Sequence, residues 1–319
     1  MIINNVLLIG GSGFIGASVA EQLSAQEIFV TVPTRRRERA KHLFLLPTVD
    51  VVEADIFQKS ELEELTRHHD AVINLTGILH GDFERVHVAL PKMVAEACVT
   101  TGTTRFINMS ALNADINAPS EYLRSRGRGE AAVWAVAKEN PALDVTMFRP
   151  SVVFGERDKF LNLFAGMVKI FPMIPLGSAD ATFQPVWVED VARAITVSIN
   201  HPETKNHTYP LVGPHIYTLR ALLQFVVAAM HRRRLIVGLG PSLSMLQARV
   251  FGMLPGKLIT VDNVLSMRLP NTSDQPFPAI FGHAAAMDEV VPSYLNPDGA
   301  GNNGGGRARY RQFRDAAGR

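Results

Sequence analysis

Apolar positions recur along this chain with two periods, and their alternation organises its first half. Val6-Leu7-Leu8-Ile9 is a short uninterrupted apolar run that stops at Gly10-Gly11-Ser12-Gly13, the pattern of a strand buried on both faces. Over residues 14–23, Phe14, Ile15, Val19, Ala20 and Leu23 return at helical spacing. Residues 28–32 and 49–52 predict a second and third strand, followed by a polar helix through Leu62 and Leu65. Residues 71–75 and 106–109 predict the fourth and fifth, with a helix around 88–97 between them, and residues 145–148 predict a sixth. Alternation at this spacing implies right-handed crossovers and a parallel sheet covered on both faces. The expected architecture is a doubly wound α/β domain over residues 1–150.

After Pro150 the rhythm changes, because Pro172, Pro175, Pro185, Pro202, Pro210 and Pro214 punctuate short segments. Helices are predicted over 188–199, opening with Glu189 and Asp190 near its positive end, and from 219 to about 230. Residues 243–254 are apolar on more than one helical stripe. Residues 151–295 therefore read as a smaller mixed capping region, and 296–319 as a flexible Gly/Arg-rich tail.

Composition narrows the class. A hydrophobic fraction of 47% with 19% charged residues excludes a disordered chain, a coiled coil or a collagenous repeat. The formal charge of +2 is misleading, since five Arg against Asp315 put a charge of +4 on residues 307–319. The body, residues 1–295, sums to −1 and gives no electrostatic reason to expect nucleic acid. The single cysteine, Cys98, excludes an intramolecular disulfide and a multi-thiolate metal site. No run of 18 uncharged apolar residues predicts a membrane span, and the apolar start lacks the charged flank of a secretory leader. A cytoplasmic location is expected, with peripheral attachment at the inner membrane as an extension of it.

Gly10-x-x-Gly13-x-x-Gly16 falls where the first strand meets the first helix. Such a turn tolerates positive φ, lets backbone approach a pyrophosphate without a Cβ in the way, and packs helix tightly on strand. The helix N-terminus adds amide donors and partial positive charge. The context is that of a Rossmann-type dinucleotide site, with Gly10, Ser12, Gly13, Phe14, Ile15 and Gly16 as its cradle. After the second strand, where a carboxylate would select NAD, stands Thr34-Arg35-Arg36-Arg37. Guanidinium groups suit a 2′-phosphate, so NADP(H) is favoured over NAD(H), with Arg35 and Arg36 as contacts. The competing reading is a solvated basic helix start, since Arg39 and Lys41 follow. Asp55, after the third strand, stands where such folds usually meet the adenine.

With Asn74-Leu75-Thr76-Gly77, Tyr122 followed by a cation four residues on, Phe148-Arg149-Pro150-Ser151-Val152-Val153-Phe154-Gly155, and Phe183-Gln184-Pro185-Val186-Trp187-Val188-Glu189-Asp190-Val191-Ala192, the chain resembles the short-chain dehydrogenase/reductase superfamily in its extended or atypical branch. Pro33-Thr34-Arg35-Arg36-Arg37-Glu38-Arg39-Ala40, Tyr122-Leu123-Arg124-Ser125, Asp158-Lys159-Phe160-Leu161-Asn162 and Leu254-Pro255-Gly256-Lys257 narrow the resemblance to the nucleotide-binding accessory subunits of respiratory complex I and their bacterial relatives, over about residues 1–295. The resemblance implies cofactor contacts at Leu75, Thr76, Gly77, Tyr122, Arg126 and Pro150. It also implies catalytic roles for Tyr122 as acid/base, for Arg126 at the position of the superfamily's lysine, and for Ser110 as the polarising hydroxyl.

The Arg126 substitution keeps the charge but not the geometry of an ammonium, and beyond Ser110 the chain has Ala111 and Leu112. Two functions stay open. One is a weakly or non-catalytic dinucleotide-binding accessory or assembly protein. The other is an active NADP-dependent oxidoreductase or sugar-nucleotide epimerase/dehydratase using Tyr122. Other candidates weaken: His80 and His87 lack metal-ligand spacing, and His87 reads as a satisfied histidine at a helix start. Cys98, between Ala97 and Val99, reads as core. Residues 219–260, with Arg232-Arg233-Arg234 and the Met-rich stretch 245–253, are a candidate docking segment for a respiratory-complex or membrane-face partner; capping core with a solvated arginine run is the alternative.

Overall fold

The computed structural model describes residues 2–253 and 260–295. The 296–319 tail and the Leu254-Pro255-Gly256-Lys257 motif lie outside the described residues. The chain divides into two units, the first comprising Met1–Ser151, Val188–Val212 and Ser273–His283. Where a single boundary after residue 150 is expected, the chain thus returns twice to its first unit.

The first unit is built on a seven-stranded, all-parallel sheet. Its strands are β1 (Asn5–Ile9), β2 (Phe29–Thr34), β3 (Val49–Glu53), β4 (Ala71–Asn74), β5 (Arg105–Met109), β6 (Asp144–Pro150) and a late strand, His207–Leu211. In space they run β3-β2-β1-β4-β5-β6, with the late strand beside β6. The predicted strands are all present, because a strand sandwiched between helix layers must be apolar on both faces, and β1 is buried from Val6 to Ile9. The late strand was not expected. His-Thr-Tyr-Pro-Leu has no apolar run, and the sheet edge is where Pro210 can sit without breaking a ladder on both sides.

Helices α1 (Phe14–Ala25), α2 (Lys59–Arg67), α3 (Leu90–Thr101) and α4 (Glu121–Glu139) cover this sheet together with the Val188–Asn200 helix. One face packs Leu7, Val72, Phe106 and Val145 against Leu62, Val94, Cys98 and Val133, so Cys98 is a core residue whose thiol is pushed well above its usual pKa by burial. On the Val188–Asn200 helix, Glu189 accepts hydrogen bonds from Ser18 Oγ and Gln22 Nε2, both at 3.0 Å, tying that helix to α1. Asp190 pairs with Arg193 at 2.7 Å.

The second unit comprises Val152–Trp187, Gly213–Thr272 and the chain from Ala284 onward. Helices Phe160–Ile170 and Leu219–Ala229 close its core around Phe154, Leu161, Ile174, Leu222 and Val226. Its strands form three two-stranded sheets, one of which pairs Met173–Leu176 with Leu235–Gly238 in parallel.

Candidate dinucleotide site

In an open α/β sheet a ligand crevice forms at the carboxyl ends of the strands where the strand order reverses, here between β1 and β4. The Leu75 N–H donates to the Ile9 carbonyl at 2.9 Å, so the two strands stay paired to their ends. Gly10 follows at φ +84°, and a Cβ there would stand 3.1 Å from the Leu75 carbonyl carbon. Left-handed backbone and close approach thus coincide at one residue. The Gly13 N–H donates to the Gly10 carbonyl and the Ala17 N–H to the Gly13 carbonyl, each at 3.0 Å, leading the turn directly into α1. A Cβ on Gly16 would strike the Gly10 carbonyl oxygen. Gly13, extended at φ −81°, caps α1 without a side chain, and no acid stands in the first turn. The amides around Phe14, Ile15 and Gly16 therefore present an unopposed positive end beside Ser12.

At the ends of the neighbouring strands β2 and β3 stand the predicted adenosine-side residues. Arg35 and Arg36 are exposed, and neither pairs with a carboxylate among the described residues. Of the basic residues that follow, Lys41 lies 3.4 Å from Glu38, and the Arg37 guanidinium lies 5.8 Å from the Phe44 ring centre. Half-buried Asp55 accepts the Phe57 N–H at 3.2 Å through Oδ1 while its own N–H donates to Glu61 Oε2 at 2.8 Å.

On the other side of the switch point, buried Asn74 orders the chain after β4. Its Nδ2 donates to Asn108 Oδ1 at 2.7 Å, and its Oδ1 accepts from the Thr76 N–H at 3.2 Å and the Thr76 hydroxyl at 2.7 Å. Asn74 opens a motif quoted for the family resemblance, but its bond to Asn108 was not foreseen, although two amides at the ends of adjacent apolar strands are a visible signal.

Tyr122 and Arg126 share one face of α4, as their spacing requires, with the Arg126 guanidinium carbon 5.6 Å from the Tyr122 ring centre. Arg126 does not extend outward. It is 8% exposed, and its Nη1 donates to the Thr76 carbonyl at 3.2 Å and the Met109 carbonyl at 3.0 Å, bracing the ends of β4 and β5. Its Nη2 lies against Gly77, where any Cβ would collide with it. Two polar atoms are left over: Arg126 Nε and the hydroxyl of buried Ser110 have no hydrogen-bond partner among the described residues. Each such orphan costs about 1–3 kcal/mol unless a ligand or water meets it. Pro150 ends β6 and is half-buried; its carbonyl accepts the Leu112 N–H at 2.9 Å.

His87 is buried in a π-helical turn, Glu84–Ala89, ahead of α3. Its Nε2 accepts the Ile78 N–H at 3.1 Å, which puts the proton on Nδ1. Nδ1 then donates to Ser125 Oγ at 2.9 Å, and that hydroxyl donates to the Tyr122 carbonyl at 2.8 Å. Burial, and then the positive charge of Arg126, push its pKa down to about 3, so the ring is neutral at physiological pH. His87 is thus a clip between the post-β4 loop and α4, with Phe83 stacked 5.2 Å away and Tyr122 edge-on at 5.5 Å.

Against known proteins, residues 6–213 match the family described as "NAD dependent epimerase/dehydratase family". Curated relatives include "NADH dehydrogenase [ubiquinone] 1 alpha subcomplex subunit 9, mitochondrial" of Rattus norvegicus, 30% identical over 84% of this chain and 76% of the rat protein. The Mus musculus protein of that name is 33% identical over 70% of this chain, which spans only 60% of the mouse protein's length. Among solved structures, a nucleoside-diphosphate-sugar epimerase from Staphylococcus aureus aligns with a TM-score of 0.69 at 17% identity, over 89% of this chain and 98% of that one; this likeness concerns the fold.

Proposed function

This chain belongs to the NAD dependent epimerase/dehydratase family, and we propose that within it the protein is a pyridine-dinucleotide-binding accessory component of a respiratory assembly, with little or no turnover of its own. The observation that carries this reading is the disposition of Arg126: the cation at the lysine position is turned into the sheet and holds two backbone carbonyls. A guanidinium so fixed is a strut, and moving it toward a substrate would break both bonds. Rat and mouse relatives named as subunits of an NADH dehydrogenase support the placement in an assembly.

The residues present fit a dinucleotide. The Gly10–Gly16 cradle, a turn whose own backbone leaves no room for a Cβ at Gly10 or Gly16, would admit a diphosphate, and the Ser110 hydroxyl and Arg126 Nε, orphaned among the described residues, offer polar partners at the strand ends. In this reading Ser12, Gly13, Phe14 and Ile15 hold the diphosphate, Asp55 the adenine side, and Leu75, Thr76, Gly77, Tyr122 and Pro150 the remainder. Arg35 and Arg36, exposed and without carboxylate partners among the described residues, favour a 2′-phosphate and hence NADP(H) over NAD(H). A bound pyridine dinucleotide supplies hydride-transfer capacity; without turnover it still stabilises the fold, by about 2.7 kcal/mol at a hundredfold excess over Kd.

A second reading, an NADP-dependent oxidoreductase or sugar-nucleotide epimerase/dehydratase with Tyr122 as acid/base, rests on the Tyr122–Arg126 juxtaposition. Native mass spectrometry combined with a cofactor-oxidation assay over a panel of carbonyl and sugar-nucleotide substrates separates the two. Retained NADPH with no substrate-dependent oxidation supports the binding protein; turnover of several per second supports the enzyme.

A further inference from the structure

One of the three two-stranded sheets of the second unit, the pair Met173–Leu176 and Leu235–Gly238, is apolar on both faces. Along Met173–Leu176, Ile174 and Leu176 are buried while Met173 and Pro175 are exposed. Leu235 lies directly opposite Met173, and Val237 opposite Pro175. Leu235 is 61% and Val237 39% exposed, whereas Ile236 between them packs on the core. A sheet with one face in water ordinarily alternates apolar inside with polar outside, so an outer face made of Met, Pro, Leu and Val is unpartnered among the described residues.

Its surroundings extend the apolar area. Ile170 and Phe171, at the entry to the first strand, are 72% and 50% exposed. The Pro241–Met253 helix docks beside the same strand, with Gln247 Nε2 donating to the Pro175 carbonyl at 2.9 Å and the Ser178 N–H donating to Ser244 Oγ at 3.1 Å. With Ser244 and Ala248 buried, this helix turns Leu243, Leu246 and Val250 outward at helical spacing. An apolar patch of this extent marks an interaction surface.

Charge identifies what covers it. Residues 219–260 contain six Lys or Arg and no Asp or Glu, and residues 159–179 contain two Lys and again no acid. Arg232 and Arg233, just before the second strand, and Lys169, just before Phe171, are exposed, as is Arg249 on the helix. None of the four pairs with a carboxylate among the described residues. Arg234, by contrast, is anchored through Nε to the Val168 carbonyl at 2.8 Å. Apolar side chains with these exposed cations beside them complement a surface that is apolar beneath and anionic at its boundary. We propose that this face of the second unit seats on an anionic phospholipid bilayer, with Met173, Leu235, Val237 and the Leu243 stripe entering the headgroup–acyl boundary and Arg232, Arg233, Lys169 and Arg249 meeting lipid phosphates. The inference does not depend on dinucleotide binding.

Flotation of the full chain with vesicles tests it. Binding is expected to phosphatidylcholine vesicles containing phosphatidylglycerol or cardiolipin, weaker at high salt, and at least tenfold weaker to phosphatidylcholine alone. Arg232→Glu/Arg233→Glu, which alters exposed side chains only, should lower partitioning by about tenfold or more, since each cation near such a surface contributes roughly fivefold. Leu235→Asp should lower it independently. Equal partitioning to neutral and anionic vesicles, or none to either, overturns the proposal. A concentration-dependent dimer in light scattering that Leu235→Asp dissolves also overturns it, in favour of a second copy of the chain. So does a purified partner protein that protects this face while vesicles leave it untouched. NADPH affinity measured in parallel keeps this outcome separate from the dinucleotide reading.

Discussion

Replacing Arg126 by lysine restores the residue type of the superfamily's catalytic pair, and the structure gives the opposite of a gain-of-function expectation. One guanidinium nitrogen serves the Thr76 and Met109 carbonyls at 3.2 and 3.0 Å. A lysine ammonium has donors for both, but its stem is shorter than arginine's, so from the same Cα it is expected to reach one of them. The other is left as a buried acceptor without a donor, at about 1–3 kcal/mol. Removal of the unpartnered Nε offsets about 1 kcal/mol of this. The balance is a destabilisation of up to about 2 kcal/mol, which lowers Tm by up to about 8 °C in a unit of this size. Differential scanning calorimetry reads the shift, and a cofactor-oxidation assay run beside it should find turnover unchanged within a few fold. An Arg126→Lys protein with undiminished Tm and turnover raised a hundredfold would refute the strut and establish a disabled active site.

Three further outcomes follow from the geometry. Because His87 has a folded pKa near 3 against an ordinary 6.5, the unfolded chain binds its proton first as pH falls. Stability should therefore be full above pH 6.5, decline by about 1.4 kcal/mol per pH unit below it, and level off below 3. Urea unfolding at pH 7 and pH 5 should show this loss, with a shallower slope in His87→Gln; identical slopes would remove His87 as its source. Gly16→Ala drives a Cβ into the backbone of Gly10 and Gly11, so dinucleotide affinity should fall at least tenfold while the chain loses about 1–3 kcal/mol; native-like affinity in a titration would contradict the cradle. Arg35→Ala should reduce the NADPH-over-NADH preference by about tenfold, the loss of one charge-assisted contact, and an unchanged ratio from paired titrations would move the 2′-phosphate elsewhere.

The sheet was legible because its strands are buried on both faces: Val6-Leu7-Leu8-Ile9 admits few readings, and the glycines that follow mark the turn. The His207–Leu211 strand was not, since an edge strand with two exposed polar residues and a proline has neither period nor apolar run. The same blindness hid the return of Val188–Val212 to the first unit. At the site, spacing placed Tyr122 and Arg126 on one helical face but could not say which way a long side chain turns. That depended on two carbonyls from distant strands and on the missing Cβ of Gly77. His87 was legible as a satisfied histidine, yet its three-bond chain through Ser125 to Tyr122 required a loop and a helix that sequence separates by 38 residues. The candidate docking segment showed its arginines and methionines in the sequence, whereas the outward apolar face emerged only with the register of Leu235 on Met173.

The most direct test of the central claim is isothermal titration of the purified full chain with NADPH, NADH and ADP. Saturable heat at one site per chain, with NADPH tighter than NADH and ADP weaker than both, is the predicted result. Absence of heat with all three, at protein concentrations where a millimolar Kd would register, would contradict it.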